Sequence, residues 1–549
     1  MVRKCKTGMA YLVLALSIGC FAWLSAGVFY LSVQFGTHGE LFYVMPFMCG
    51  ITIFAAAAIG FLVLISTDVW KDAFRCDIWL QIVLWLLALY AAFRHGAYMA
   101  AIVPGAYEFA LYDLFTLGAA PALYVYLYLA YRFFGRMIRE LFTGCFRLTG
   151  SELGFFLGFI AVACIAMCVA FLAHPVLYNG HMYGAVYTFD SQRLVRDDVF
   201  AIIDGPENDL KNLLFGMFTM PLAIICHIID DALYFMTRFY MYPFLIGFVQ
   251  IITLAACIIL LARMACKNQR ARLAFCILFS GCYVTMLNVF ILEQYIFSIF
   301  WVVACMWFYI QNKSHDYIIS GVVATGCLTS SAVLFAAPLI ERKHGWRGDL
   351  KSAGIYASVA LLLSGKIIRI LASIKLADDT LGKWANLTGS WSQKFYQFLT
   401  AIRSIFLQPR VEPVINWVGC EYSCPWLYKT SYDIRFDLFG WVVLIICIIG
   451  FVINYKDVFS RFCMGWIAAS FLIMFVAGFG TTENELVIYM LYFGWAYVGL
   501  LFKLAERAFR KLPIVLYLGC VGCAAAMAAV NIPGLAGMFE FFRVYYPGQ

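Results

Sequence analysis

Residues 153–173 read LGFFLGFIAVACIAMCVAFLA, a run without one charged side chain. About 20 apolar residues are needed for a helix to cross the roughly 30 Å hydrocarbon core of a bilayer, so this run has the length of a span. Runs of the same kind recur at 8–33, 43–66, 78–94, 109–131, 243–262, 272–288, 294–311, 353–370, 438–455, 462–478, 486–503 and 512–530. The expected fold class is therefore an all-α polytopic membrane protein with about 13 transmembrane helices. Composition agrees: 64% of the residues are hydrophobic and 13% charged, against roughly half and a quarter in a soluble protein. A mean hydropathy of +0.85 spreads the apolar excess along the whole chain. A soluble enzyme and a soluble domain with a single anchor are both excluded.

The 39 basic and 31 acidic residues give a net charge of +8, which in such a chain reflects loop asymmetry; no nucleic-acid partner is expected. The start, MVRKCK before an apolar run, reads as an uncleaved first span. With Arg3, Lys4 and Lys6 in the cytoplasm, the loops of Lys71 and Arg75 and of Arg132, Arg136 and Arg139 fall inside. The loop of Arg263, Lys267, Arg270 and Arg272 follows them only if the apolar stretch 213–229 does not cross completely. By the same reasoning 317–340 dips in and returns, broken near Thr329, Ser330 and Ser331, because Lys313 precedes it and Arg342, Lys343, Arg347 and Lys351 follow it. Two long segments, 174–242 and 371–437, are left outside, together with the C-terminus. The second, with ADDTLGKWANLTGSWSQKFYQFLTAIRSIF at 377–406, reads as interfacial helices. It also carries the triplet Asn386-Leu-Thr388, a sequon that can arise by chance. Of the 20 cysteines, Cys420 and Cys424 stand out, as an extracytoplasmic disulfide or two thiols; the rest fall in apolar runs as packing residues.

The first long segment runs HPVLYNGHMYGAVYTFDSQRLVRDDVFAIIDGPENDLKNLLFGMFTMP over 174–221. Asp190, Arg193, Arg196, Asp197, Asp198, Asp204 and Lys211 place both signs of charge beside the membrane. A solvated loop with helix caps is one reading. The other is chemical. Asp190 and Arg193 share a face if locally helical, and Lys211 precedes the stretch that fails to span. A cation beside a carboxylate suits a lipid-linked phosphate: the cation stabilises charge building on the departing phosphate, and the carboxylate deprotonates an acceptor hydroxyl.

These residues resemble the GT-C glycosyltransferases, especially the aminoarabinose and protein O-mannosyl transferases, whose first outer loop runs from Asp-Glu-x-Arg to Lys-Pro-hydrophobic. Here the matching residues are Asp190-Ser-Gln-Arg193 and Lys211-Asn-Leu-Leu. The likeness continues with the basic loop at 263–272, with Glu293 in NVFILEQYIFSIFWVV, and with SGVVATGCLTSSAVLFAAPLI at 320–340 before a basic stretch. In order and topology it covers about residues 150–372. Ser191 stands where relatives often have a second acid, Asn212 where Pro is usual, and Thr329-Ser-Ser where they commonly place Lys. The resemblance implies Asp190 near the acceptor, as base or through a metal, and Lys211 on the donor phosphate with Arg193 supporting. Three regions are expected: a four-helix membrane extension over 1–150, extra to the layout usual in that family, a GT-C-like module over 151–372, and over 373–549 the second outer segment with the C-terminal helices.

Lys366 and Arg369 lie at the outer end of a span, against the charge rule; they either snorkel to headgroups or clamp the donor phosphate. Glu293 begins an apolar span, where the helix dipole favours an acid, or faces Asp190 as a ligand for a metal or sugar hydroxyl. Asp204 is a further supporting carboxylate. A cofactor is not required by the sequence, and a divalent metal ion remains open. Asp230 and Asp231 are expected to cap the non-spanning segment, and His227 to be packed rather than a ligand. The expected function is transfer of a sugar from a polyprenyl-phosphate carrier to an extracytoplasmic acceptor, by a multi-pass enzyme whose site faces away from the cytoplasm. The alternatives are a polysaccharide polymerase or ligase recruiting Arg403, Arg410 and Arg435, and a lipid-linked sugar transporter or flippase. The latter calls for ionisable residues at the bilayer midplane, and the apolar runs carry almost none.

Overall fold

In a computed structural model the chain is described at residues 11–20, 72–102, 109–145, 147–178, 186–187, 195, 200, 215–238, 240–336, 386, 389–415, 426–431, 437–481 and 486–546, and it is mostly helical. It divides into two compact units, one holding Met1–Glu140 and the other most of the chain from Leu141 onward. In the first, α1 (Tyr11–Cys20), α2 (Ile78–Ile102) and α3 (Phe109–Cys145) bury Leu14, Ile18, Leu84, Ala88, Ala122 and Val125 in one core. The Tyr124 hydroxyl donates to Ala73 O at 2.7 Å, and its ring stacks on Trp85. α3 runs on through Arg132, Arg136 and Arg139, which the sequence placed in a loop. An i,i+4 pair of Arg136 with Glu140 at 3.5 Å supports that continuation.

The second unit is built around α6 (Tyr242–Ala265), flanked by α4 (Gly150–Ala173), α7 (Gln269–Ser280), α8 (Tyr283–Phe290) and α9 (Tyr295–Ile310). Pro243 fits the first turn of α6, where no intrahelical N–H is needed. Two thirds of its apolar window is buried (67%), against 22% for α4 and 17% for α15 (Pro513–Tyr545). On α4 only Glu152, Ala163, Met167, Ala170 and Phe171 are buried, while Val162, Ile165 and Leu172 are 70%, 65% and 75% exposed. In water each such side chain forgoes about 1.5–3 kcal/mol of burial; hydrocarbon removes that cost. Among the described residues four helices are long and apolar enough to cross a membrane: α4, α6, α15 and α13 (Val458–Ser470) with its continuation to Val476. The number is up to five if the bent pair α7 and α8 is one span. Several long apolar helices thus mark an integral membrane protein. Of the other expected spans, 294–311 and 438–455 fall on shorter helices, α9 and α12 (Leu438–Asn454), 8–33 and 78–94 include α1 and part of α2, 109–131 falls within α3 and 486–503 mostly within the helix Met490–Ala508, and 43–66 and 353–370 lie outside the described residues.

The expected span 272–288 is a broken helix, bent by 63° between α7 and α8. Gly281 O, left without a helical partner at the break, accepts from Asn531 Nδ2 at 3.2 Å. α10 (Ser314–Cys327) stops where the sequence placed a break and continues as a 3₁₀ segment, Thr329–Ala336. Ser331 Oγ lies 2.7 Å from Tyr492 Oη. The returning half lies outside the described residues.

Two expectations change. Segment 213–229 is part of α5 (Phe215–Thr237), which runs through Asp230 and Asp231 rather than stopping at them. Asp230 is buried, and its Oδ1 accepts from Met241 N at 2.6 Å at the start of α6. The second long segment contains α11 (Trp391–Phe406), packed against α8, α12, the turn Phe471–Val476 and α14 (Met490–Ala508) rather than lying on a surface. Its buried lysine is satisfied locally: Lys394 Nζ donates to Asn386 O at 3.0 Å and sits 4.1 Å from the Trp391 ring centre. Asn386 itself donates to Thr481 Oγ1 at 3.2 Å, so its amide is engaged in packing. The all-helical expectation also admits one antiparallel ribbon, β1 (Val411–Ile415) with β2 (Trp426–Thr430), in register Val411↔Thr430 to Ile415↔Trp426.

Basic residues collect at one end of the second unit. Glu152 binds Arg263 and Arg272 there. Lys503 Nζ donates to Ala265 O at 2.8 Å and lies 3.7 Å from Asp457. Helix directions put Tyr178, Phe290, Tyr295 and Phe539 at the opposite end, hereafter the aromatic end.

Candidate functional site

Of the residues singled out for chemistry, Asp190, Arg193, Asp204, Lys211, Lys366 and Arg369 lie outside the described residues, as do Cys420 and Cys424. Glu293 is described. It sits between α8 and α9, 1% exposed, and its Oε1 accepts from Gln294 N at 3.1 Å, ahead of the first turn of α9. A carboxylate there faces the positive end of the helix dipole. Gln250 on α6 fixes this connection. Its Nε2 donates to Asn288 O at 2.7 Å and Ile291 O at 2.8 Å, satisfying carbonyls freed where α8 ends, and its Oε1 accepts from Glu293 N at 2.9 Å.

The described parts of the first long segment converge on the same connection. The Tyr178 hydroxyl donates to Phe290 O at 2.8 Å. Tyr187 Oη is 2.8 Å from Tyr283 Oη, on the first residue of α8. Phe200 and Phe215 meet Phe297 with ring centres 5.5 and 6.3 Å apart, and Thr219 on α5 donates to Phe200 O at 2.9 Å. Val195 is buried as well. The partners Phe290, Tyr283 and Phe297 lie within ten residues of Glu293 along the chain.

The second long segment joins at Tyr187. Its N–H donates to Tyr428 O at 2.8 Å, Val186 forms a parallel bridge with Tyr428, and the two tyrosine rings meet at 5.6 Å. Gln408 Nε2 donates to Tyr428 Oη at 3.0 Å and to Gly534 O at 3.1 Å. Burial, with Tyr283 and Tyr428 close by, holds the Tyr187 hydroxyl well above its usual pKa, and burial pushes Tyr428 up to about 12. Both are neutral hydrogen-bonding groups at physiological pH, suited to holding position rather than to moving protons.

Arg403, offered by the polymerase reading, lies 3.8 Å from Asp437, which caps α12 by accepting from Gly440 N; its charge serves the packing of α11. His227 stacks on Tyr242 at 3.9 Å. Among the described residues no group of three His, Cys, Asp or Glu side chains could hold a metal ion. Sequence reasoning passed over Gln250, Asn531, Gln408 and the tyrosines. For Gln250 and Asn531 a signal existed, a lone amide inside an apolar run. Neither a family model, nor a curated protein, nor a solved structure matches the chain.

Proposed function

We propose that the chain is a multi-pass membrane glycosyltransferase of the GT-C kind, moving a sugar from a polyprenyl-phosphate carrier to an extracytoplasmic acceptor at the aromatic end of its second unit. One observation carries the reading: the pins of the first long segment, Tyr178, Tyr187, Phe200 and Phe215, gather around the connection that holds Glu293. Asp190 is three residues from Tyr187 and Lys211 four from Phe215. The positive-inside rule assigns the basic end of the unit to the cytoplasm, leaving the aromatic end for an acceptor outside.

In this reading Lys211 and Arg193 hold the donor phosphate and balance the charge it gains as the sugar leaves. Asp190 takes the proton from the acceptor hydroxyl as it attacks the anomeric carbon, a step for which a positioned base contributes about 10²- to 10⁴-fold. Glu293 and Asp204 are supporting carboxylates, and Glu293 is buried. The test is reconstitution of the full chain in liposomes with tritiated polyprenyl-phosphate hexoses and aminopentoses. Asp190→Asn is expected to abolish transfer while leaving donor binding and folding intact. Transfer at the wild-type rate would make Asp190 a loop cap and send the search for a base to Glu293 or Asp204.

A further inference from the structure

Gln408 follows α11 by two residues and lies against the backbone of α15. A Cβ on Gly534 would stand 1.4 Å from its Oε1, so the carboxamide occupies the space the glycine leaves. Its own N–H donates to Asn531 Oδ1 at 3.0 Å, and Asn531 in turn donates to Phe406 O at 2.8 Å and to Gly281 O at the α7–α8 break. On the other side the carboxamide bonds Tyr428 and Gly534 and faces the hydroxyls of Tyr187 and Tyr283. One chain of hydrogen bonds thus links the broken helix, the end of α11, β2, α15 and the first long segment.

Tyr187 is held there in a backbone conformation that a bulky residue rarely adopts, with φ of 48°. Left-handed geometry costs energy for a residue with a Cβ, and such strain persists only where the surroundings over-determine it. Here those surroundings include the bond to Tyr428 O, the hydroxyl pair with Tyr283 and the Gln408 carboxamide. We propose that Gln408 is a positioning residue that docks the first long segment, through Tyr187, three residues before Asp190 in sequence, onto the second segment and the broken helix. The docking is independent of any chemistry; its consequence for sugar transfer rests on the function proposed above.

The experiment is hydrogen–deuterium exchange of the full chain in lipid nanodiscs, read on peptides covering 182–192, beside a transfer assay. Gln408→Met keeps the volume and removes the hydrogen bonds. Exchange at 182–192 is expected to rise about tenfold, with α6 unchanged. Gly534→Ala, which forces the carboxamide away, should do the same. Tyr428→Phe, removing a single hydroxyl, should give a smaller rise and serves as the deciding variant if Gln408→Met fails to fold. Unchanged exchange at 182–192 in a folded Gln408→Met chain, or in Tyr428→Phe where that variant decides, would overturn the docking role. Faster exchange with transfer intact would leave the docking standing and sink the assignment of Asp190.

Discussion

Replacing Glu152 tests whether the basic end is an engineered knot of charge or a loosely solvated surface. The carboxylate, 3% exposed, accepts five hydrogen bonds. Arg263 supplies Nε to Oε1 at 3.1 Å and Nη2 to Oε2 at 2.8 Å, and Arg272 supplies Nη1 to Oε1 at 2.7 Å. Thr149 gives its N–H at 2.9 Å and its hydroxyl at 3.0 Å to Oε2. Removing one partner of a buried pair costs about 3–5 kcal/mol, because the remaining charge stays desolvated. The Arg263 side chain is 9% exposed and that of Arg272 20%, so water recovers part of the loss at Arg272 and the lower end of that range applies. Glu152→Ala should therefore destabilise the chain by about 3 kcal/mol and Glu152→Gln, which keeps one acceptor, by about 2 kcal/mol. Equilibrium unfolding in mixed detergent–SDS micelles measures both. The cycle with Arg263→Met should show coupling above about 1 kcal/mol. A cost below that for Glu152→Ala would mean that the guanidiniums already rest in water and that α4, α6 and α7 are tied together by packing alone.

Three further outcomes follow from single features. Lys211→Met should weaken binding of a polyprenyl-phosphate sugar without unfolding the chain, because a point charge is lost while the stem's packing stays; unchanged affinity in a donor-binding assay removes Lys211 from the site. At Gly440 a Cβ would stand 2.3 Å from Leu399 O, backbone against backbone, so Gly440→Ala must separate α12 from α11 and should cost about 1–3 kcal/mol in the same unfolding titration. His174 stacks on Phe539, and burial lowers its pKa below the ordinary histidine value. The unfolded chain then binds the proton more readily, so the stability it contributes is complete above the unfolded pKa near 6.5 and lost as pH falls through the folded value. His174→Phe should flatten the stability profile as pH falls below the unfolded value of about 6.5; an unaltered slope would refute the assignment.

The sequence revealed those parts of the fold that depend on one stretch of chain at a time. Apolar runs located the long helices, because a lipid-facing helix shows its character residue by residue. The end of α10 at Cys327 was foreseen because two basic flanks demanded the same side of the membrane. What escaped were features set by partners far away in sequence. α11 has the strong amphipathicity of an interfacial helix; only its contacts with α12 and α14 show that its apolar face meets protein. The bend between α7 and α8 depends on Asn531, some 250 positions away, supplying the missing donor. Gln408 is an ordinary residue after a helix, and no local pattern marks it as the partner of Tyr428 and Gly534.

The first long segment shows how far the candidate site could be read. Its apolar and charged residues alternate: Tyr187, then Asp190 and Arg193, then Val195 and Phe200, then Asp204 and Lys211, then Phe215. In water such interleaving describes a loop with some buried side chains and no more. Beside a bundle whose aromatic end offers Tyr283 and Phe297, Tyr187, Phe200 and Phe215 become pins. Shortening a free loop recovers entropy only slowly, but pins at residues 187, 195, 200 and 215 divide one long closure into several short ones. A catalytic reading requires such division in addition to charge: a carboxylate needs a fixed place before it can act as a base on an attacking hydroxyl. The charges were legible because they are composition; the pins were not, because their partners lie on helices that the sequence could only count.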